Sequence, residues 1–178
     1  SIVMDFADGG DLAQRIEAQA ACGTKFSEEQ VLDWFVQICL AMKHVHDRKM
    51  LHRDIRPHNI YLTRGGAVVK LGGFVPIDPG DDVPLGTKQQ HYLAPEIFLG
   101  KRHDHRSDIW SLGCVLYELV VGRPPFASQS LRELIRMIQS DPVPFDDAWL
   151  RPPREGDPDY GPQDGAVDLN ALSSRCFS

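Results

Sequence analysis

No stretch of this chain limits its fold more than the run from Ser107 to Val120. Ile109, Leu112, Val115, Leu116, Leu119 and Val120 make a helix there that is apolar over much of its circumference. Such a helix has to be surrounded, so the rest of the chain must supply packing partners on several sides. Gly122, Pro124 and Pro125 stop it, and Asp108 is expected to cap its beginning. With 178 residues the chain can build one sizeable core around it.

The partners are legible in the pattern. Asp8, Gly9, Gly10 and Asp11 form a turn after the apolar strand Ile2–Met4, and a helix follows over Leu12–Ala21. Ser27 and Gln30 read as a capping box, and Val31, Phe35, Ile38, Met42 and Val45 recur at helical spacing to an end near Lys49. Ile60–Leu62 and Val68–Leu71, separated by Arg64, Gly65 and Gly66, predict a hairpin. Residues 76–93, rich in Pro, Gly and Asp, read as a loop. Leu131, Leu134, Ile135 and Ile138 mark a further helix. Residues 141–168 hold six prolines and many acidic side chains and read as a surface insertion, and a last helix begins near Ala166.

Composition narrows the classes of function. A net charge of −6 gives no general attraction to nucleic acid or to an anionic membrane. Membrane helices need about 18 uninterrupted apolar residues, and no run approaches that. Cys22, Cys39, Cys114 and Cys176 are scattered without a CxxC pair, as expected of thiols in a reducing, intracellular compartment, cytoplasmic in preference to nuclear. His44, His46, His58, His91, His103 and His105 lack the spacing of zinc ligands: His44 and His46 point to different parts of one helix, and the rest lie in loops of different segments.

The polar segment between the second helix and the hairpin carries the chemistry. It reads His52-Arg53-Asp54-Ile55-Arg56-Pro57-His58-Asn59. Phosphoryl transfer needs an aligned hydroxyl, a cation near the moving phosphate, and oxygens that hold a metal. Asp54 can accept the proton of an attacking hydroxyl, Arg56 can face the phosphate, and Asn59 can offer its amide oxygen to a metal.

These residues, followed by Lys70–Phe74, by Gly86 and Thr87, by Tyr92–Glu96 and by Ser107–Phe126, resemble the motifs of the protein kinases in their usual order. Within that family the chain looks most like the NIMA-related serine/threonine kinases. The resemblance implies an α+β fold: the mainly α-helical C-lobe of a kinase with a small β-hairpin, lacking the N-lobe. The chain then divides into a hinge strand and hinge at 1–12, a C-lobe core at 13–140, the insertion at 141–168 and the start of a last helix at 169–178. It also implies ATP and magnesium as cofactors and a protein as substrate or partner, with no nucleic acid or membrane involved.

Carried over by position, the resemblance casts Asp54 as the catalytic aspartate, Arg56 as the phosphate cation in place of a lysine, Asn59 as a magnesium ligand and Thr87 as a hydroxyl supporting Asp54. Met4 becomes the gatekeeper, Asp5 and Ala7 face the adenine through their backbone, Asp11 lies near the ribose and Tyr61 beneath the adenine ring. His52 and Phe74 belong to a buried stack, and Asp108 holds the catalytic-loop backbone.

Two positions depart from the pattern. Gly73 stands where a metal-binding carboxylate is expected beside Asn59, so metal nucleotide is expected to bind weakly or not at all. Val75 replaces a glycine whose freedom lets the loop move. Glu96 is expected to lack the arginine that pairs with it. Asp81 and Asp82 are expected to pair with Arg53 and order the loop without a phosphate. The sequence thus supports two expectations: a kinase that transfers the ATP γ-phosphate to Ser or Thr in its complete form and is inactive as this chain alone, or a non-catalytic protein-binding module.

Overall fold

The computed structural model describes residues 6–74 and 88–144. The predicted strand Ile2–Met4, the pairing of Asp81 and Asp82 with Arg53, and the last helix lie outside the described residues. So does most of the insertion. Five helices and one hairpin are described, in the order α1 (Leu12–Ala21), α2 (Glu28–Asp47), β1 (Ile60–Thr63), β2 (Val68–Leu71), α3 (Pro95–Phe98), α4 (His105–Val121) and α5 (Leu131–Ser140).

Helix α4 is the axis of the core. Leu112, Cys114, Val115, Leu116 and Leu119 are buried along it. They pack in one cluster with Val31, Trp34, Phe35, Ile38 and Met42 of α2, and with Leu12 and Ile16 of α1. Full burial of each large aliphatic side chain contributes about 1.5–3 kcal/mol, enough to make this three-helix contact the main source of cohesion. A smaller cluster of Phe126, Leu134 and Ile138 joins α5 to Phe98 of α3 and to Trp110 near the start of α4, with Trp110 stacked on Phe126.

The helix ends follow local chemistry. The Asp11 carboxylate accepts from the Gln14 N–H at 2.9 Å, and Ser27 Oγ accepts from the Gln30 N–H at 3.2 Å. Helix α2 stops at Asp47, two residues short of the expected end, and α4 starts earlier than expected. Its cap is Asp104, which closes a reciprocal box with Ser107, leaving Asp108 one turn inside. The box differs from the usual pattern in having Ser107, and not Glu or Gln, at the third position. Gly122 ends α4 in the left-handed conformation at φ 86°, where a Cβ would be strained.

The hairpin pairs Ile60 with Leu71 and Thr63 with Val68 in antiparallel register. Helix α2 holds its turn directly: Trp34 Nε1 donates to Gly66 O at 2.7 Å, while Gln37 donates to Ala67 O and accepts from the Val69 N–H. The Gly9–Asp11 turn joins the opposite edge of β1, with Gly9 N–H donating to Leu62 O and Leu62 N–H to Gly10 O, both at 2.9 Å. Residues 88–92, expected as loop, form a short 3₁₀ turn. The segment between α2 and the hairpin is thereby pinned at both ends.

Candidate functional site

The polar segment runs from His52 to Asn59 and is held from beneath by α4. Asp108, fully buried, accepts from the backbone N–H of His52 at 3.0 Å and from that of Arg53 at 2.9 Å. Arg53 sits in the left-handed region at φ 66°. A non-glycine residue there costs on the order of 1 kcal/mol, and the bond to Asp108 holds it in place. His46 Nε2 and His103 Nε2 approach the same carboxylate at 2.8 and 2.9 Å. Burial acts to raise the Asp108 carboxyl, but the bonds from His103, His46 and the two backbone N–H groups outweigh it and hold the pKa at about 2.

His52 is equally constrained. Its Nε2 lies 2.8 Å from Gly72 O, which can only accept, so that nitrogen carries the hydrogen. Its Nδ1 accepts the Asp54 N–H at 3.3 Å, so it carries none. The ring is therefore the neutral tautomer. Burial accordingly holds it below its ordinary range, with the Gly72 carbonyl and the Asp108 charge pulling the other way. Phe74 contacts the ring at a centroid distance of 4.5 Å but is half exposed. The expected buried stack is thus covered on one side only among the described residues.

Asp54 and Asn59 meet at the centre. Asn59 Nδ2 donates to Asp54 Oδ2 at 2.7 Å and to the Asp54 carbonyl at 2.8 Å. Arg56 Nε lies 3.1 Å from Asp54 Oδ1. That ion pair is off the hydrogen-bond axis: both atoms are buried and neither has a hydrogen-bond partner among the described residues. One carboxylate oxygen is therefore fixed by Asn59 and the other is left as an open acceptor beside a cation.

The remaining predicted positions divide. Tyr61 sits on β1 opposite Lys70 and forms a bridge with Asp11, so these two share one edge of the hairpin. The Asp11 carboxylate is engaged in capping α1. Ala7 lies half-buried just before the turn. Met4, Asp5 and Thr87 lie outside the described residues. Glu96 accepts from Ser107 Oγ at 2.6 Å, so its carboxylate has a neutral partner in α4. Tyr92 donates to Glu118 at 2.6 Å and Ser111 donates to Tyr92 O at 2.7 Å, which anchors the 88–93 segment on α4. Burial and the Glu118 charge push the Tyr92 hydroxyl far up.

Sequence reasoning missed His46, His103 and Gln37. His46 is 62 residues from Asp108 in the chain and the only sign of its role is a histidine on the buried side of α2.

A divalent cation, which the kinase resemblance implies, does not fit these residues. Magnesium needs near-octahedral oxygen ligation at about 2.0–2.1 Å. Asn59 offers one amide oxygen, while a Cβ at Gly73 would lie 2.8 Å from that oxygen and 2.5 Å from Asn59 Cγ. Among the described residues no group of three or more His, Cys, Asp or Glu side chains is placed to hold a metal.

A family profile for the protein kinase domain matches residues 1–156. The chain belongs to the protein kinase family. It is similar to NIMA-related members: 48% identical over 141 residues to serine/threonine-protein kinase Nek5 of Mus musculus, covering 77% of this chain and 22% of that protein. It is 49% identical over 147 residues to Nek1 of the same species, covering 80% of this chain and 12% of that protein. The likeness to mouse Nek3 is 43% over 146 residues, or 80% of this chain and 28% of that protein. The chain thus spans between about an eighth and somewhat over a quarter of the length of these curated relatives. The mainly helical fold with one two-stranded sheet is that of a kinase C-lobe. Protein kinases act on proteins and use ATP and magnesium as a family.

Proposed function

We propose that this chain is the protein-recognising lobe of a NIMA-related serine/threonine kinase in which the catalytic loop is kept in form while metal-assisted phosphoryl transfer is lost. The observation that carries this reading is Gly73: it supplies no side-chain oxygen, and a Cβ there would lie 2.8 Å from the amide oxygen that would be the other ligand. What remains is a loop fixed on Asp108 and an anchored 88–93 segment, a surface suited to a protein partner. The scattered cysteines, none of the described ones in a disulfide, fit an intracellular, cytoplasmic setting. The test is magnesium-dependent nucleotide binding by the full-length product. None is expected, and binding at ordinary cellular concentrations overturns the reading.

A second reading is favoured by Asp54. Among the described residues its Oδ1 is a buried acceptor with no hydrogen-bond partner, beside the Arg56 cation, as needed to take the proton of a serine or threonine hydroxyl. On this reading the full-length protein transfers the ATP γ-phosphate to protein, and this lobe alone does not. Asp54 is the base, Arg56 draws the phosphate close and Asn59 keeps the carboxylate aimed. Transfer that disappears in Asp54→Asn supports it; transfer that survives the change excludes it.

A further inference from the structure

Gly73 is more than a lost carboxylate, because its neighbours show what the missing side chain makes room for. Its φ of 80° is in the region that L side chains rarely adopt. A Cβ built there would lie 2.5 Å from Asn59 Cγ, 2.6 Å from Nδ2 and 2.8 Å from Oδ1. One residue earlier, a Cβ on Gly72 would lie 2.7 Å from Tyr61 Cε2. Neither approach is open to a residue with a side chain unless something shifts.

Asn59 is not free to shift. Asn59 is buried at 8% exposure, and its Nδ2 is tied twice to Asp54. The glycine segment is tied as well: Gly72 N–H donates to Asn59 O at 2.9 Å, and Gly72 O accepts from His52 Nε2 at 2.8 Å. Backbone and side chains are locked together from both directions.

We infer that Gly72 and Gly73 form a backbone plug seated on Tyr61 and Asn59, which closes the metal side of the site, so that an aspartate restored at position 73 does not rebuild it. The inference deepens the non-catalytic reading and rests on it. The closed site is a stable arrangement of this chain's own residues, and recovering a metal site takes a change at position 59 or a displaced backbone as well as a carboxylate.

A double-mutant cycle in the complete chain tests the plug. Gly73→Ala is expected to lower the thermal unfolding midpoint by several degrees, and the loss is expected to shrink by at least half in an Asn59→Ala background, where the contacted side chain is gone. An equal loss in both backgrounds would leave only the cost of φ and overturn the plug. Mn²⁺, followed by water-proton relaxation, is the metal probe: Gly73→Asp is expected to bind it no better than the unsubstituted chain. A gain of tenfold or more with an unchanged midpoint overturns the inference. Should Gly73→Asp fail to fold, Gly72→Ala replaces it, expected to cost stability with Tyr61 present and much less with Tyr61→Ala. Phosphoryl transfer by the unsubstituted full-length product defeats the underlying reading, whereas absence of coupling defeats the plug, so the two failures appear in different measurements.

Discussion

At the scale of single residues, four donors converge on Asp108, and that convergence fixes the loop that begins at His52. Asp108→Asn turns one accepting oxygen into a donor facing other donors in a buried site. It is expected to cost about 3–5 kcal/mol in urea denaturation, as removal of a buried charged partner does. The titration of two groups gives stability a defined dependence on pH. The unfolded chain takes up a proton at His52 near 6.5, and the folded chain resists it, so this contribution is complete above 6.5 and falls away as the pH drops below. Asp108, held at about 2 against an ordinary 3.8, adds a second loss that begins near 3.8 and runs down toward 2. Denaturation midpoints measured across this range should show both steps, with His52→Gln flattening the first; a flat profile from 7 to 5 in the unsubstituted chain contradicts the assignment. That Asp54, Arg56 and Asn59 cluster was legible in the sequence because they lie within six positions of one another. His46 and His103 were not, because nothing in a one-dimensional spacing says that side chains 62 and 5 residues from Asp108 face the same carboxylate.

The elements show what sequence periodicity carries and where it stops. Helix α1 falls on its predicted span, and α5 follows its apolar spacing, because the burial that selects them repeats at 3.6 residues. Helix ends depend instead on single hydrogen bonds, and α4 begins at His105 because Asp104 and Ser107 satisfy each other's backbone donors. Asp104→Ala is therefore expected to cost about 1 kcal/mol, read as a lower urea midpoint with an unchanged slope, while Asp104→Ser should recover most of it. A full loss in both variants would assign the effect to the exposed Arg106 pair instead. The hairpin was legible from its glycines, but its attachment was not. Trp34 and Gln37 reach the turn through backbone groups of Gly66, Ala67 and Val69, and backbone partners leave no trace in residue type.

For the molecule as a whole, the lobe is organised so that one buried helix supports both halves of the candidate site. Asp108 near the start of α4 holds the His52–Arg53 backbone, and Ser111 and Glu118 farther along hold Tyr92. The family fold was readable because its long apolar helix, its polar loop and its hairpin follow in a distinctive order. The proposed closing of the site was only half readable: the missing carboxylate at Gly73 is in the sequence, whereas the closeness of that position to Asn59 depends on a backbone conformation. The central claim is that the catalytic loop is intact and the metal side is shut. Its most direct test is a titration of ATP into the full-length product with and without magnesium. The account predicts that the metal makes no difference to binding; nucleotide affinity that rises on adding magnesium and falls again on chelation contradicts it.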